Sequence, residues 1–269
     1  MKTKKLTLLL ILGVVTTAVS KAVEPTLKSL NELSISLTTL QREQTHKYRW
    51  ESVTKNGAAT ASKNYATLVV STKSEKNGIL LHDTITLIPF FGGTVFERKM
   101  KCPTNSLLHP EHITLDITGG GKTVREMSYE KGEMKVVDSP RNTNSLQVKF
   151  DEGILTFNTL LRLAPLLPRD VGKVHTFQTY AEPFLFRIRR AEEKGAKGAL
   201  FTITCETLEK ITIGKKSYDC AKFTLELKSV RIKSDLWVAQ NGPVVKLVEH
   251  LPKGGTRDQA DYLEATIQD

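Results

Sequence analysis

The sequence predicts an all-β protein, mainly antiparallel, shaped as an open or half β-barrel with one or two short helices. Three observations carry this. Apolar side chains alternate with polar ones at period two along much of the chain after Tyr48, the mark of an antiparallel sheet with one wet face. Turn signals punctuate the alternating runs at short intervals: Lys76-Asn77-Gly78, Gly92-Gly93, Gly119-Gly120-Gly121, Lys131-Gly132, Gly195 to Gly198, Gly214, Asn241-Gly242-Pro243 and Gly254-Gly255. No rhythm of strand, helix and strand appears between them, so parallel α/β folds drop out.

The first residues read as an export signal. Lys2, Lys4 and Lys5 form a positive cluster, Leu6 to Val19 an apolar run, and Ser20 and Ala22 the small residues before a cut. Ala18 and Ser20 allow an earlier cut. The run is shorter than the roughly 20 apolar residues a membrane span takes, and no cysteine near the cut offers a site for lipid modification. The expectation is a signal peptide over 1–22, then a single β-rich domain over 23–269 with no transmembrane segment, located in the periplasm or secreted.

The elements follow in order. Leu27, Leu30, Leu33, Leu37 and Leu40 repeat at helical spacing; Ser34-Ile35-Ser36-Leu37-Thr38 alternates as a strand would, and helix is favoured. Ile79, Leu81, Ile85 and Leu87 share one face of a long strand, with His82, Thr84 and Thr86 opposite. Ile113, Leu115 and Ile117 repeat the pattern, as do Phe184, Phe186 and Ile188. The segment Ile154 to Leu167 is apolar in clumps and bounded by Pro165 and Pro168, which predicts a short helix near 156–164 packed over the sheet. From Phe223 to Val238 the apolar residues change from odd to even positions. One continuous strand cannot do that, so a β-bulge near Lys228 and Ser229, or a break into two strands, is required.

Three cysteines remain, Cys102, Cys205 and Cys220, an odd count that leaves at least one thiol free. If Ile213 faces Ser217 across the Gly214 turn, Cys220 falls opposite Lys210 and Cys205 opposite Leu225. That stagger is about 17 Å at strand rise, beyond a disulfide's reach, and no bridge is expected in this hairpin.

The formal charge of +10 includes Lys2, Lys4, Lys5 and Lys21, so the processed chain carries +6. Scattered lysines favour a solubilising role over a binding patch, although anionic lipid head groups and wall polymers are compatible partners. The densest basic run, Arg187, Arg189 and Arg190, is offset by Glu192 and Glu193. With no stripe of basic and aromatic residues, nucleic acid is not an expected partner.

Candidate chemistry is sparse. His109-Pro110-Glu111-His112 holds two imidazoles and a carboxylate, but Pro110 keeps it out of a helix and no third ligand is nearby, so it reads as a polar loop. Gly119-Gly120-Gly121-Lys122-Thr123 resembles the end of a phosphate loop. The first glycine of that motif falls on Asp116, and a strand rather than a helix follows, so it reads as a hairpin turn. No Gly-x-Ser-x-Gly elbow is present, and Cys102 lies in no local catalytic signature. Trp50 and Trp237 read as core residues first and as cavity lining second. The sequence therefore assigns no catalytic residue, no metal site and no cofactor, and leaves the ligand-binding residues unknown.

The carboxy-terminal half carries a resemblance. The apolar helix with Leu160, Leu161 and Arg162, the Gly172-Lys173 turn, and the Ile213-Gly214 turn leading to Tyr218-Asp219-Cys220 occur in a shared order. Leu236-Trp237-Val238 and Asn241-Gly242-Pro243-Val244-Val245-Lys246 complete it. Over roughly residues 90 to 250 the chain resembles a family of exported bacterial β-rich proteins of unknown function, similar in fold to the half-barrels of periplasmic lipoprotein carriers. That family carries no assigned catalytic residues to transfer; the half-barrel architecture and the lack of a catalytic constellation lead to the expectation of a non-enzymatic envelope protein holding a hydrophobic or amphipathic ligand, a lipid among the candidates. The alternative is an envelope assembly or structural protein acting through protein partners; a third reading is a hydrolase of envelope polymers.

Overall fold

The computed structural model describes residues 43–56, 59–87, 93–103, 111–118, 123–130, 133–139, 146–149, 155–156, 160–180, 199–227, 232–240, 242–250 and 262–268. The expected signal, the 27–40 segment, the Phe184 strand, the triglycine turn and the Arg187 cluster lie outside them.

Fifteen strands make up nearly everything described. They are β1 (Gln44–Asn56), β2 (Ala59–Glu75), β3 (Gly78–Leu87), β4 (Val95–Pro103), β5 (His112–Thr118), β6 (Thr123–Glu130), β7 (Glu133–Ser139) and β8 (Leu146–Lys149). After the two-residue β9 (Leu155–Thr156) come β10 (Val174–Tyr180), β11 (Ala199–Ile213), β12 (Lys216–Leu227), β13 (Ile232–Ala239), β14 (Val244–His250) and β15 (Tyr262–Ile267). All belong to one sheet in the order β8-β7-β6-β5-β4-β3-β2-β1-β15-β14-β13-β12-β11-β10-β9. The two arms are up-and-down meanders, and β15 returns to pair with β1 at the centre. Every pairing is antiparallel except β9 with β10. Among the described residues the sheet is open, with β8 and β9 as its edges.

One face of this sheet is the core. Register places Tyr48 and Trp50 of β1 level with Leu68 and Ala66 of β2, and those level with Ile85 and Leu87 of β3; all are buried. The same face continues through Ala265, Leu247, Leu236, Phe223, Cys205 and Ile203 in the other arm. Trp50, fully buried, has an alanine beside it on each neighbouring strand, Ala66 and Ala265. Small partners give a large ring its space at close-packed density.

The change of phase between Phe223 and Val238 is a break into two strands, with β12 and β13 paired antiparallel as a hairpin. The bulges fall elsewhere, at Trp50/Glu51, Cys205/Thr207 and Trp237/Val238, where they bend strands locally.

The cysteine register differs from expectation. Gly214, with φ 59, and Lys215 form a two-residue turn that sets Ile213 opposite Lys216, not Ser217. The bulge at Cys205/Thr207 then shifts the pairing again, so Cys205 faces Phe223 and Cys220 faces Glu209. The two are still separated by three residues, about 10 Å along a strand. All three cysteines are free and buried.

The expected helix near 156–164 is shorter. Helix α1 spans Leu160–Leu163 and tightens into a 3-10 turn over Ala164–Leu166. Pro165 lies inside that turn, where its missing N–H costs nothing, and Leu167 is already extended. Leu163, Ala164 and Leu167 are buried, so α1 packs as a plug rather than lying on the surface.

Candidate functional site

The core face of the first arm is interrupted by charge. On β3 the odd positions point inward, and Asp83 occupies one between Leu81 and Ile85. On β4 the even positions do, and Arg98, directly opposite Asp83, precedes buried Met100. Arg98 Nη1 lies 3.7 Å from Asp83 Oδ2. Helix α1 adds a second guanidinium: Arg162 Nη2 donates to Asp83 Oδ1 at 2.6 Å and to the carbonyl of Ser71 at 2.8 Å, while Nε donates to Thr72 Oγ1 at 3.3 Å. The side chains of Arg162 and Asp83 are 3% and 1% exposed. Two guanidiniums thus meet one buried carboxylate, and this contact fixes α1 over the sheet.

Beyond α1 the chain crosses to the other arm. Gly172, with φ 82, turns it back, and its N–H donates to the Cys205 carbonyl at the β11 bulge. Arg169 Nη2 donates to the Ala239 carbonyl at the end of β13, at 2.8 Å. The segment from Arg162 to Arg169 therefore straddles the middle of the sheet, tied to β2 and β3 at one end and to β13 at the other.

Between this strap and the strands lies a pocket of about 390 Å³. Its floor is Gln44, His46, Tyr48, Val70 and Thr72, from β1 and β2. The strap contributes Leu161, Arg162, Pro165, Leu166 and Arg169, and the β13–β14 turn adds Gln240, Gly242 and Pro243. Among the described residues this lining contains no carboxylate and no thiol. Tyr48 donates to the Val244 carbonyl at 2.9 Å, and burial, against the opposing effect of Arg162, pushes its phenol well above its ordinary value. Burial and then the charge of Arg162 lower the pKa of His46, which favours the neutral imidazole near pH 7. The pocket thus offers cations, amides and a neutral imidazole together with the apolar side chains of Val70, Leu161, Pro165 and Leu166.

None of these residues stood out in the sequence as a binding site; Gly242 and Pro243 entered as a turn signal, Leu161 as part of the predicted helix, Pro165 as its bound, and Arg162 through the family resemblance. The signal for Asp83 and Arg98 was present, since each is a charge on the apolar phase of a strand. Of the residues weighed for chemistry, Glu111 and His112 are described while His109 and Pro110 are not. Among the described residues, no group of three or more His, Cys, Asp or Glu is placed to hold a metal. Thr123 opens strand β6, as the hairpin reading requires. Trp50 is core. Trp237 is not: Leu236 and Val238 point inward, so Trp237 faces out. There Lys222 and Lys246 place their ammonium groups 5.2 and 5.3 Å from its ring centroid, and its indole N–H donates to Glu209. No described helix is long and apolar enough to cross a membrane.

No protein-family model matches the chain, and no curated protein matches it. Among solved structures it is similar to a β-barrel-like protein of the domain of unknown function DUF1849 from Brucella abortus. The identity is 9%, the TM-score 0.49, and the match covers 83% of this chain and 96% of that one.

Proposed function

We propose that this protein is an exported, non-enzymatic binding protein of the cell envelope that holds a hydrophobic or amphipathic ligand, here an amphiphile beneath the strap. The observation that carries the reading is the mixed lining of the pocket, in which the apolar Val70, Leu161, Pro165 and Leu166 stand with the polar Gln44, His46, Arg169 and Gln240. A concave site with an apolar wall and a few convergent polar groups is what a small amphiphile needs. The test is direct: protein purified from the envelope is extracted with organic solvent and the extract analysed by mass spectrometry, beside a vesicle-to-vesicle lipid transfer assay. A stoichiometric amphiphile or measurable transfer is expected; neither appearing counts against the proposal.

A second reading draws on the open sheet. Among the described residues its edges are β8 and β9, where a strand from another chain could add to the sheet. In-cell cross-linking that traps one envelope protein, and no lipid, favours this assembly role.

A further inference from the structure

We propose that the ligand of this pocket carries a compact oxyanion head, a phosphate monoester or a carboxylate, on a single apolar chain, and that Arg169 is its anchoring cation. The inference rests on the binding-protein reading above and specifies the chemistry of the guest.

The two guanidiniums of the pocket have different duties. Arg162 is committed to the sheet through Asp83, Ser71 and Thr72. Arg169 is half-buried and, among the described residues, makes a single hydrogen bond, to the Ala239 carbonyl. Among the described residues it has no carboxylate partner, and the neighbouring acid, Asp170, is paired with Lys173 at 3.1 Å. Most of its fork of N–H donors is thus uncommitted. The Ala239 bond fixes the guanidinium at the pocket wall. A half-buried cation with no carboxylate beside it among the described residues has lost part of its hydration without gaining a counter-charge. An anion entering the pocket supplies that charge, and the planar fork suits two oxygens of a phosphate or carboxylate at once.

The other polar groups agree. Gln44, His46 and Gln240 add neutral hydrogen-bonding groups. The size speaks to the tail: about 390 Å³ is near the lower end of the roughly 300–1,000 Å³ typical of ligand pockets, room for one chain rather than a lipid with several. Val70, Leu161, Pro165 and Leu166 form the surface against which that chain would lie.

The experiment is calorimetric titration of the delipidated, processed protein, below micelle concentrations, with dodecyl phosphate, dodecyl maltoside and inorganic phosphate. Dodecyl phosphate is expected to bind at least tenfold more tightly than either of the others. Arg169→Gln should weaken it by about 10- to 100-fold, the range for losing a charge-assisted hydrogen bond, and weaken the maltoside far less. Arg169→Lys, which keeps the charge but not the fork, should fall between. Thermal unfolding of each variant confirms that it is folded, and the lysine form serves if the glutamine form is not. Equal binding of phosphate and maltoside amphiphiles, or unchanged binding in Arg169→Gln, overturns the oxyanion inference and leaves the binding-protein reading standing. Inorganic phosphate binding as tightly as dodecyl phosphate overturns the tail assignment and makes the pocket a plain anion site. No binding by any of the three defeats both.

Discussion

Replacing Arg162 by methionine keeps much of the side-chain volume and removes the guanidinium that ties α1 to the sheet. Asp83 would lose its 2.6 Å partner while remaining almost wholly buried, and the Ser71 carbonyl would lose its 2.8 Å donor. Removing one member of a buried ion pair costs about 3–5 kcal/mol, because the charge left behind is neither hydrated nor paired. Arg98, 3.7 Å from Asp83, supplies some compensation, so the expected loss is about 3 kcal/mol. Against a total stability of about 5–15 kcal/mol, that is a large fraction. The assay is urea unfolding followed by tryptophan fluorescence, with Trp50 reporting from the core. The midpoint should fall with the slope unchanged, since the surface exposed on unfolding is nearly the same. Arg162→Lys, which retains charge but cannot form the fork, should lose an intermediate amount. A loss below about 1 kcal/mol for the methionine variant, within the range of an exposed ion pair, would refute the view that this pair holds the strap in place.

Other outcomes follow from the same geometry. A Cβ at Gly78 would lie 2.1 Å from the Cys102 carbonyl oxygen; backbone cannot swing aside, so Gly78→Ala should cost about 1–3 kcal/mol in urea unfolding. Burial pushes the Cys102 thiol up to about 12 and the Cys220 thiol up to about 11. Ellman's reagent at pH 8 should therefore find almost no reactive thiol in the native protein and three in urea; one in urea would reveal a disulfide. At Asp235, burial alone would raise the carboxyl, but hydrogen bonds from His250 and Thr224 and the charge of Lys222 outweigh it and hold the pKa low. The unfolded chain then takes up this proton first as pH falls, so the stabilisation is full above about pH 4 and is lost below it; Asp235→Asn should flatten that part of the stability profile. His46, lowered by burial and by Arg162, should titrate by NMR below its usual value of about 6.5, and a midpoint at or above that would contradict its placement beside Arg162.

What the sequence disclosed depends on the range of the interaction. Alternation on β3 and β5 was legible because period two is a property of neighbours, and the switch of phase after Leu227 required a bulge or a break whatever the partners were. Trp237 was read as core because large aromatic residues invite that assignment; it faces out, as its odd position between the inward Leu236 and Val238 requires. Cys205 and Cys220 escaped because turn length and the bulge at Cys205/Thr207 are set by backbone geometry that side-chain pattern does not encode. The site escaped for a different reason. Asp83 and Arg98 announce themselves as charges on an apolar face, but Arg162 joins them from 79 positions beyond Asp83, and Arg169 meets Ala239 across 70. Alternation along a strand shows that a buried charge needs a partner; it does not say which residue will come.

Photoaffinity labelling tests the pocket most directly. A dodecyl phosphate bearing a diazirine along its chain, bound to the processed protein, irradiated and mapped by peptide mass spectrometry, is predicted to mark peptides carrying Val70 and the segment Leu161 to Leu166. Excess unlabelled dodecyl phosphate should suppress that label. Labelling spread over the outward surface around Lys222, Trp237 and Lys246, or labelling that competitor leaves untouched, would contradict the account.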